Sequence, residues 1–294
     1  MKFAAIDIGS NAIRLLIARP LNLEISVPNF KPVEVTRLPL RLGDDVFKTK
    51  SIASHKEDLL IKAMIAFQYL TEIYNVDKLK AVATSAMRDA NNAQEIIEKI
   101  WHKTGIKIEI ISGLQESELL QNTILTTVTN NNTFLHIDVG GGSTELTVIR
   151  KKKVIAYESF NIGTVRMLEN AVDKQEQIRM KKWLQYMKLK NENMRAIGTG
   201  GNIVKLNSLG NPSQKKPLSF SALAAINQEI INTSIHDRIY QMGLNPDRAQ
   251  VIDSAGKIFI DILSFSNINK IIAPNKGLKD GIILSLWQEY FNAQ

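Results

Sequence analysis

Two stretches of this chain share one pattern: AIDIGSNAIRLLI at residues 5–17 and HIDVGGGSTELTVI at 136–149. Laid over each other without a gap, Asp7 falls on Asp138, Gly9 on Gly140 and Leu15 on Leu146. Each reads as an apolar strand, an Asp-x-Gly turn and a second strand. The copies stand too far apart for a solenoid, whose period is ~20–50 residues. They suit two related domains that each open on the same hairpin, and the 294-residue length agrees with about two domains.

The stretch around each copy sets the fold class. Residues 2–8, 12–18 and 33–40 read as strands. SHKEDLLIKAMIAFQYLTEIY (54–74) has helical spacing, with Leu59, Ala63, Ala66 and Leu70 on one face. LKAVAT is a strand, NNAQEIIEKIWHKTG a helix closed by Gly105, IKIEII a strand, and GLQESELLQNTILTTVT a helix. The order then restarts with TFLHIDV, STELTVI and KVIAYESF as three strands, with the lysines at 151–153 at the tip between the last two. A mainly helical stretch, the strand MRAIG, the segment GTGGN, a loop at 209–220, the short apolar piece KIIAP and a closing helix GIILSLWQEYF follow. This alternation predicts an α/β protein. We divide it into a first domain over 1–125 and a second over 126–294 with helical insertions, the helix at about 281–294 packing back on the first.

Composition removes several chemistries. There is no cysteine, which excludes disulfides, thiolate metal sites and cysteine nucleophiles and suits a reducing compartment. The apolar N-terminal stretch carries Asp7 and Arg14 and shows no signal-type core, and no apolar run reaches the ~18 residues of a membrane span. A cytoplasmic protein is expected. The net charge of +8 suits a polyanionic ligand, nucleic acid or polyphosphate, and equally serves solubility. No P-loop, dinucleotide fingerprint or G-x-S-x-G elbow is present. The four histidines lack metal-ligand spacing, and His136 reads as a satisfied core or edge residue.

What remains points to phosphate. A glycine-rich turn exposes consecutive backbone N–H groups that form an anion site. The loops at Ser10–Asn11 and at Gly140, Gly141, Gly142 and Ser143 are of this kind, with Thr144 beside the second. Gly200 and Gly201 would add a third loop with a helix N-terminus behind it. Asp138 and Glu145, on opposite arms of one hairpin, could share a hard cation with phosphate oxygens. Thr84, Ser85 and Arg88 follow a strand end, where ligands of open α/β sheets bind, and Arg88 can offer two N–H groups to a phosphate. Glu116 lies in the first turn of a helix. Its spacing leaves two readings open, a carboxylate facing a ligand cleft or one favoured by the helix N-terminus.

The set AIDIGSNAIRLLI, AVATSAMRDANN, IISGLQESELL, HIDVGGGSTEL, NIGTVRM, AIGTGGNIVKL and GLKDGIIL resembles the exopolyphosphatase/guanosine pentaphosphate phosphatase family of the sugar kinase/heat-shock chaperone/actin superfamily. The motifs follow the family's order over nearly the whole chain. The resemblance implies two ribonuclease-H-like domains, each a mixed sheet flanked by helices, with the active-site cleft between them. It implies Mg²⁺-assisted release (or release with another divalent cation) of terminal phosphate from polyphosphate or pppGpp, and a homodimer. Glu116 matches the glutamate that activates water, Asp138 and Glu145 the metal-side carboxylates, and Arg88, Ser10, Asn11 and the Gly140–Ser143 backbone the phosphate-holding groups. The chain is similar to the short form, without the additional C-terminal helical region. It departs from the family's pattern at Asn202, Gln250, Lys279 and Asp280. Two alternatives are a non-catalytic polyphosphate or (p)ppGpp sensor using the same cleft, and a superfamily kinase or ATPase. No recognition motif for nucleic acid accompanies the charge.

Overall fold

The computed structural model describes residues 1–22, 29–125, 132–191, 193–211 and 216–292. The expected domain boundary after residue 125, the last part of the helix expected through Thr129, and residues 212–215 of the expected loop lie outside the described residues. The chain forms two compact units, Met1–Thr127 with Gly277–Gln294, and Val128–Lys276.

In the first unit the order is β1 (Phe3–Ile8), β2 (Ile13–Pro20), β3 (Phe30–Leu38), α1 (Leu42–Thr49), α2 (Ser54–Ile73), β4 (Lys78–Ala83), α3 (Ser85–Asp89), α4 (Ala93–Thr104), β5 (Ile108–Ile110) and α5 (Gly113–Ile124). The second unit contains β6 (Thr133–Val139), β7 (Thr144–Arg150), β8 (Lys153–Phe160), α6 (Thr164–Leu168), α7 (Lys174–Lys190), β9 (Arg195–Thr199), α8 (Gly201–Gly210), β10 (Leu218–Ser219), α9 (Phe220–Asn232), α10 (Ile235–Tyr240), α11 (Pro246–Ala249), α12 (Ile252–Ser266) and β11 (Lys270–Ile272). The last helix, α13 (Leu278–Asn292), belongs to the first unit. There it packs on α5 and β1, with Trp287 edge-on to Phe3 at 6.1 Å and to Phe30 at 5.8 Å between ring centroids. Among the described residues no helix is long and apolar enough to cross a membrane.

The repeat seen in the sequence is a repeat of topology. The first sheet runs β3-β2-β1-β4-β5 and the second β10-β11-β9-β6-β7-β8. Read from β8, the second sheet gives β8-β7-β6-β9-β11, strand for strand the order of the first, with β10 added at the edge. In both, three antiparallel strands meet parallel ones: β1 with β4 and β4 with β5, β6 with β9 and β9 with β11. The hairpins close by the same bond, Gly9 N–H to the Ala12 carbonyl at 3.2 Å and Gly140 N–H to the Ser143 carbonyl at 2.9 Å. The β7–β8 hairpin turns at Lys151 and Lys152, both exposed and both at positive φ (51° and 61°), the sign pattern of a type I′ turn.

Strand burial explains the long apolar runs. Every residue of β1 is buried, and β6 is buried from Phe134 to Val139, as expected of strands covered on both faces. One expected face is corrected. On α2 the buried residues are Leu60, Ile61, Ala63, Met64 and Phe67, whereas Leu59 is 49% exposed and Ala66 also faces solvent. Both sets obey helical spacing. The observed one keeps Ala63 of the expected face but buries Met64 and Phe67, each worth ~1.5–3 kcal/mol when removed from water, while Leu59 and Ala66 turn outward.

Candidate functional site

In the first unit, three strands end level with one another: Ile8 is in register with Ala83, and Ala83 with Ile110. The loops that leave them carry Ser10 and Asn11, Ser85 and Arg88, and Ser112 and Glu116. Register therefore brings these residues to one sheet edge, the carboxyl edge where α/β proteins bind ligands. Side chains then tie the loops together. Ser10 Oγ and Ser85 Oγ are 2.8 Å apart, both buried. The Ser10 and Asn11 carbonyls accept from Gly43 N–H and Arg41 N–H. Arg88, half-buried, donates from Nη1 to the Ile111 carbonyl at 2.6 Å, so this arginine also anchors the segment leading into α5. That helix starts on a capping box between Ser112 and Gln115, which holds its first turn in place, and Glu116 is buried in that turn. Asp7 forms a 2.9 Å ion pair with Arg14, its cross-strand partner.

In the second unit the equivalent positions hold a different pair. Asp138 faces Glu145 directly across the β6–β7 ladder. Both are buried, and their carboxylate oxygens lie within 4.8 Å of one another. Two carboxylates directly opposed destabilise a sheet unless a proton, a hydrogen-bonding partner or a cation offsets them. Glu145 accepts from Ser159 Oγ at 3.1 Å, and Asp138 Oδ1 from Thr199 Oγ1 at 2.7 Å. Two buried carboxylates offering hard oxygen ligands fit a divalent cation such as Mg²⁺.

Beside this pair the glycine loop is aimed by its carbonyls. Gly140 O accepts from Thr164 N–H (3.0 Å), Gly141 O from Val165 N–H (2.8 Å) and Arg166 N–H (3.0 Å), and Gly142 O from Arg166 Nε (2.8 Å). In a trans peptide the carbonyl and the next N–H point in opposite directions. With three carbonyls held toward α6, the N–H groups of Gly141, Gly142 and Ser143 face away from it as a cluster of donors suited to an anion. The approach of α6 is close enough that a Cβ on Gly163 would lie 2.4 Å from Gly141 O. Thr144 serves the same packing, donating its hydroxyl to the Ile162 carbonyl at 2.6 Å, so its role is structural. The third loop is adjacent by register, since Thr199 pairs with Asp138. Gly200 sits at φ 95°, where a Cβ would lie 3.4 Å from Asp138 Oδ1, and Gly201 opens α8.

Arg166 and Thr199 are the residues that sequence reasoning missed. Arg166 lies within the quoted motif NIGTVRM, and its burial at 6% exposure is the signal of a partner, but a bond to a carbonyl 24 residues away has no sequence periodicity. His136 is buried, with Nε2 2.9 Å from Thr199 Oγ1. Burial pushes its pKa down to about 3, so the imidazole is neutral. Of the departures, Lys279 and Asp280 pair with each other at 2.7 Å, and Asp280 also accepts from Gly277 N–H at the start of α13.

Residues 23–290 match the model of the Ppx/GppA phosphatase family. A bifunctional 3-dehydroquinate synthase/phosphatase of Fusobacterium nucleatum is 27% identical over 96% of this chain; the chain spans 46% of that relative's length. Among solved structures, an exopolyphosphatase from Cytophaga hutchinsonii superposes with a TM-score of 0.85 at 20% identity, covering 98% of each chain. An Aquifex aeolicus member of the Ppx/GppA family superposes with a TM-score of 0.78 at 24% identity, covering 99% of this chain and 98% of the other. The fold is that of these two-domain proteins, with a mixed sheet flanked by helices in each domain.

Proposed function

The chain belongs to the Ppx/GppA phosphatase family, and from that premise we propose that it hydrolyses the terminal phosphoanhydride of inorganic polyphosphate or of pppGpp. The observation that carries this reading is the buried, directly opposed pair Asp138 and Glu145 beside a loop whose N–H groups are turned outward by its bound carbonyls. Such a pair suits a divalent cation and such a loop suits a phosphate. The chemistry supplied by a bound Mg²⁺ is neutralisation of charge on the phosphoryl oxygens.

In this reading the backbone of Gly140, Gly141, Gly142 and Ser143 cradles the terminal phosphate, and Gly200 and Gly201 flank it. On the first unit, Arg88, Ser10 and Asn11 are the groups that hold phosphate, and Glu116 is the base that accepts the proton of the attacking water. Phosphoryl transfer is governed by positioning and electrostatic stabilisation, so these groups suffice without a covalent intermediate. The net charge of +8 favours encounter with a polyanion. We take the cytoplasm as the compartment, since a cysteine-free chain suits reducing conditions.

The test is phosphate release from short-chain polyphosphate, long-chain polyphosphate and pppGpp, with Mg²⁺ and with chelator. Release that requires Mg²⁺ supports the reading, and the preferred substrate names it. Tight binding of one of these polyanions without release from any of them would replace it with the non-catalytic sensor.

A further inference from the structure

A chain of hydrogen-bonding side chains points to residues behind the cation site. It runs from His136 Nε2 to Thr199 Oγ1 at 2.9 Å and from Thr199 Oγ1 to Asp138 Oδ1 at 2.7 Å. All three residues are buried. The direction of this chain is fixed by chemistry. An ionised carboxylate only accepts, so the Thr199 proton points to Asp138. The hydroxyl oxygen then accepts from His136, which puts the ring proton on Nε2.

We propose that His136 and Thr199 are positioning residues that orient Asp138 for a divalent cation. The inference rests on the reading of that pair as the cation site. Register supports it. Thr199 stands beside Asp138, and His136 beside Ile197, on adjacent parallel strands, so the hydroxyl reaches sideways along the sheet edge while the imidazole buttresses it from one pleat below. Thr199 also precedes Gly200, where an added Cβ would lie 3.4 Å from the same Oδ1. The hydroxyl therefore sets two things together, the plane of the carboxylate and the place of the third loop. Partners behind a metal ligand are worth about tenfold to a hundredfold in metal affinity.

The test measures binding of Mn²⁺ alone to the full chain, by the electron paramagnetic resonance signal of the free ion, with thermal unfolding as a check on folding. Thr199→Val removes the hydroxyl at nearly constant shape and is expected to weaken Mn²⁺ about tenfold to a hundredfold. Thr199→Ser restores the hydroxyl and is expected to restore affinity. His136→Leu is expected to weaken binding, and to add little when combined with Thr199→Val, because the two act through one chain. If Thr199→Val does not fold, Thr199→Ala removes the same hydroxyl with less bulk. Wild-type affinity in the folded hydroxyl-less variant, with binding lost in Asp138→Asn, overturns the relay and leaves the cation site standing. Wild-type affinity in Asp138→Asn overturns the cation site, and the relay with it.

Discussion

Asp138 and Glu145 oppose each other across the β6–β7 hairpin, whereas at the matching positions of the first hairpin Asp7 opposes Arg14. One fold, used twice, thus carries an ion pair in one copy and two opposed carboxylates in the other. Carboxylates held this close cost stability unless a proton, a partner or a cation offsets them.

That cost has a measurable sign. In metal-free buffer Glu145→Gln removes one of two opposed buried charges and is expected to raise the unfolding temperature. A gain of ~1 kcal/mol corresponds to about 2–4 °C for a chain of this order of size. The same variant is expected to lose the stabilisation that Mg²⁺ gives the wild type. Differential scanning calorimetry with and without Mg²⁺ reads both; a destabilised apo variant that keeps its Mg²⁺ response contradicts the assignment.

The contact between α6 and the glycine loop is backbone on backbone. Gly163→Ala places a methyl where Gly141 O and the Gly142 carbonyl carbon lie at 2.4 Å, and α6 must move. Overpacking of this kind costs ~1–3 kcal/mol. The N–H cluster loses its aim as well, so a rise in KM for phosphate substrate is expected beside the fall in stability. Urea denaturation and steady-state kinetics check the two effects, and an unchanged KM in a destabilised variant would separate the loop's aim from α6.

The buried imidazole predicts a pH dependence of stability in the apo protein. His136 titrates near 6.5 unfolded and is pushed down to about 3 by burial in the folded chain. Between these values the unfolded state binds the extra proton, so stability rises with pH and falls as pH drops through this window. At about pH 5 the loss relative to pH 7.5 is roughly 2 kcal/mol from this residue. His136→Gln is expected to lack that share, which the difference between wild-type and variant denaturation curves at the two pH values isolates from the titrating carboxylates.

The rotation of α2 is testable by truncation. Phe67, 1% exposed, is expected to cost ~3–5 kcal/mol on replacement by alanine. Leu59→Ala, on the solvent face, is expected to stay near ±0.5 kcal/mol. Comparable losses at both positions would restore the face first expected from spacing.

These cases show what the sequence exposes and what it hides. The paired hairpins are legible because Asp-x-Gly between two apolar runs is a local pattern that recurs, and the matching strand orders follow from it. The Gly140–Ser143 loop is legible as a turn for the same reason, whereas the spacing of Glu116, in the first turn of α5, leaves two readings open. The buried face of α2 is ambiguous because two stripes share one period, and only packing against neighbours such as α4 separates them. Arg166 and Thr199 act through long-range partners, a carbonyl on the glycine loop and a carboxylate on a neighbouring strand. Their meaning exists only once the sheet register is set. His136 looked like a satisfied core residue and is one, but what satisfies it is the hydroxyl that grips Asp138.

The most direct measurement is phosphate release from short-chain polyphosphate by wild type and Glu116→Gln at saturating Mg²⁺, with polyphosphate binding followed in parallel. Loss of a positioned general base is worth ~10²–10⁴ in rate. The account predicts a fall in turnover of that order in Glu116→Gln with substrate binding retained. Wild-type turnover in Glu116→Gln would contradict it.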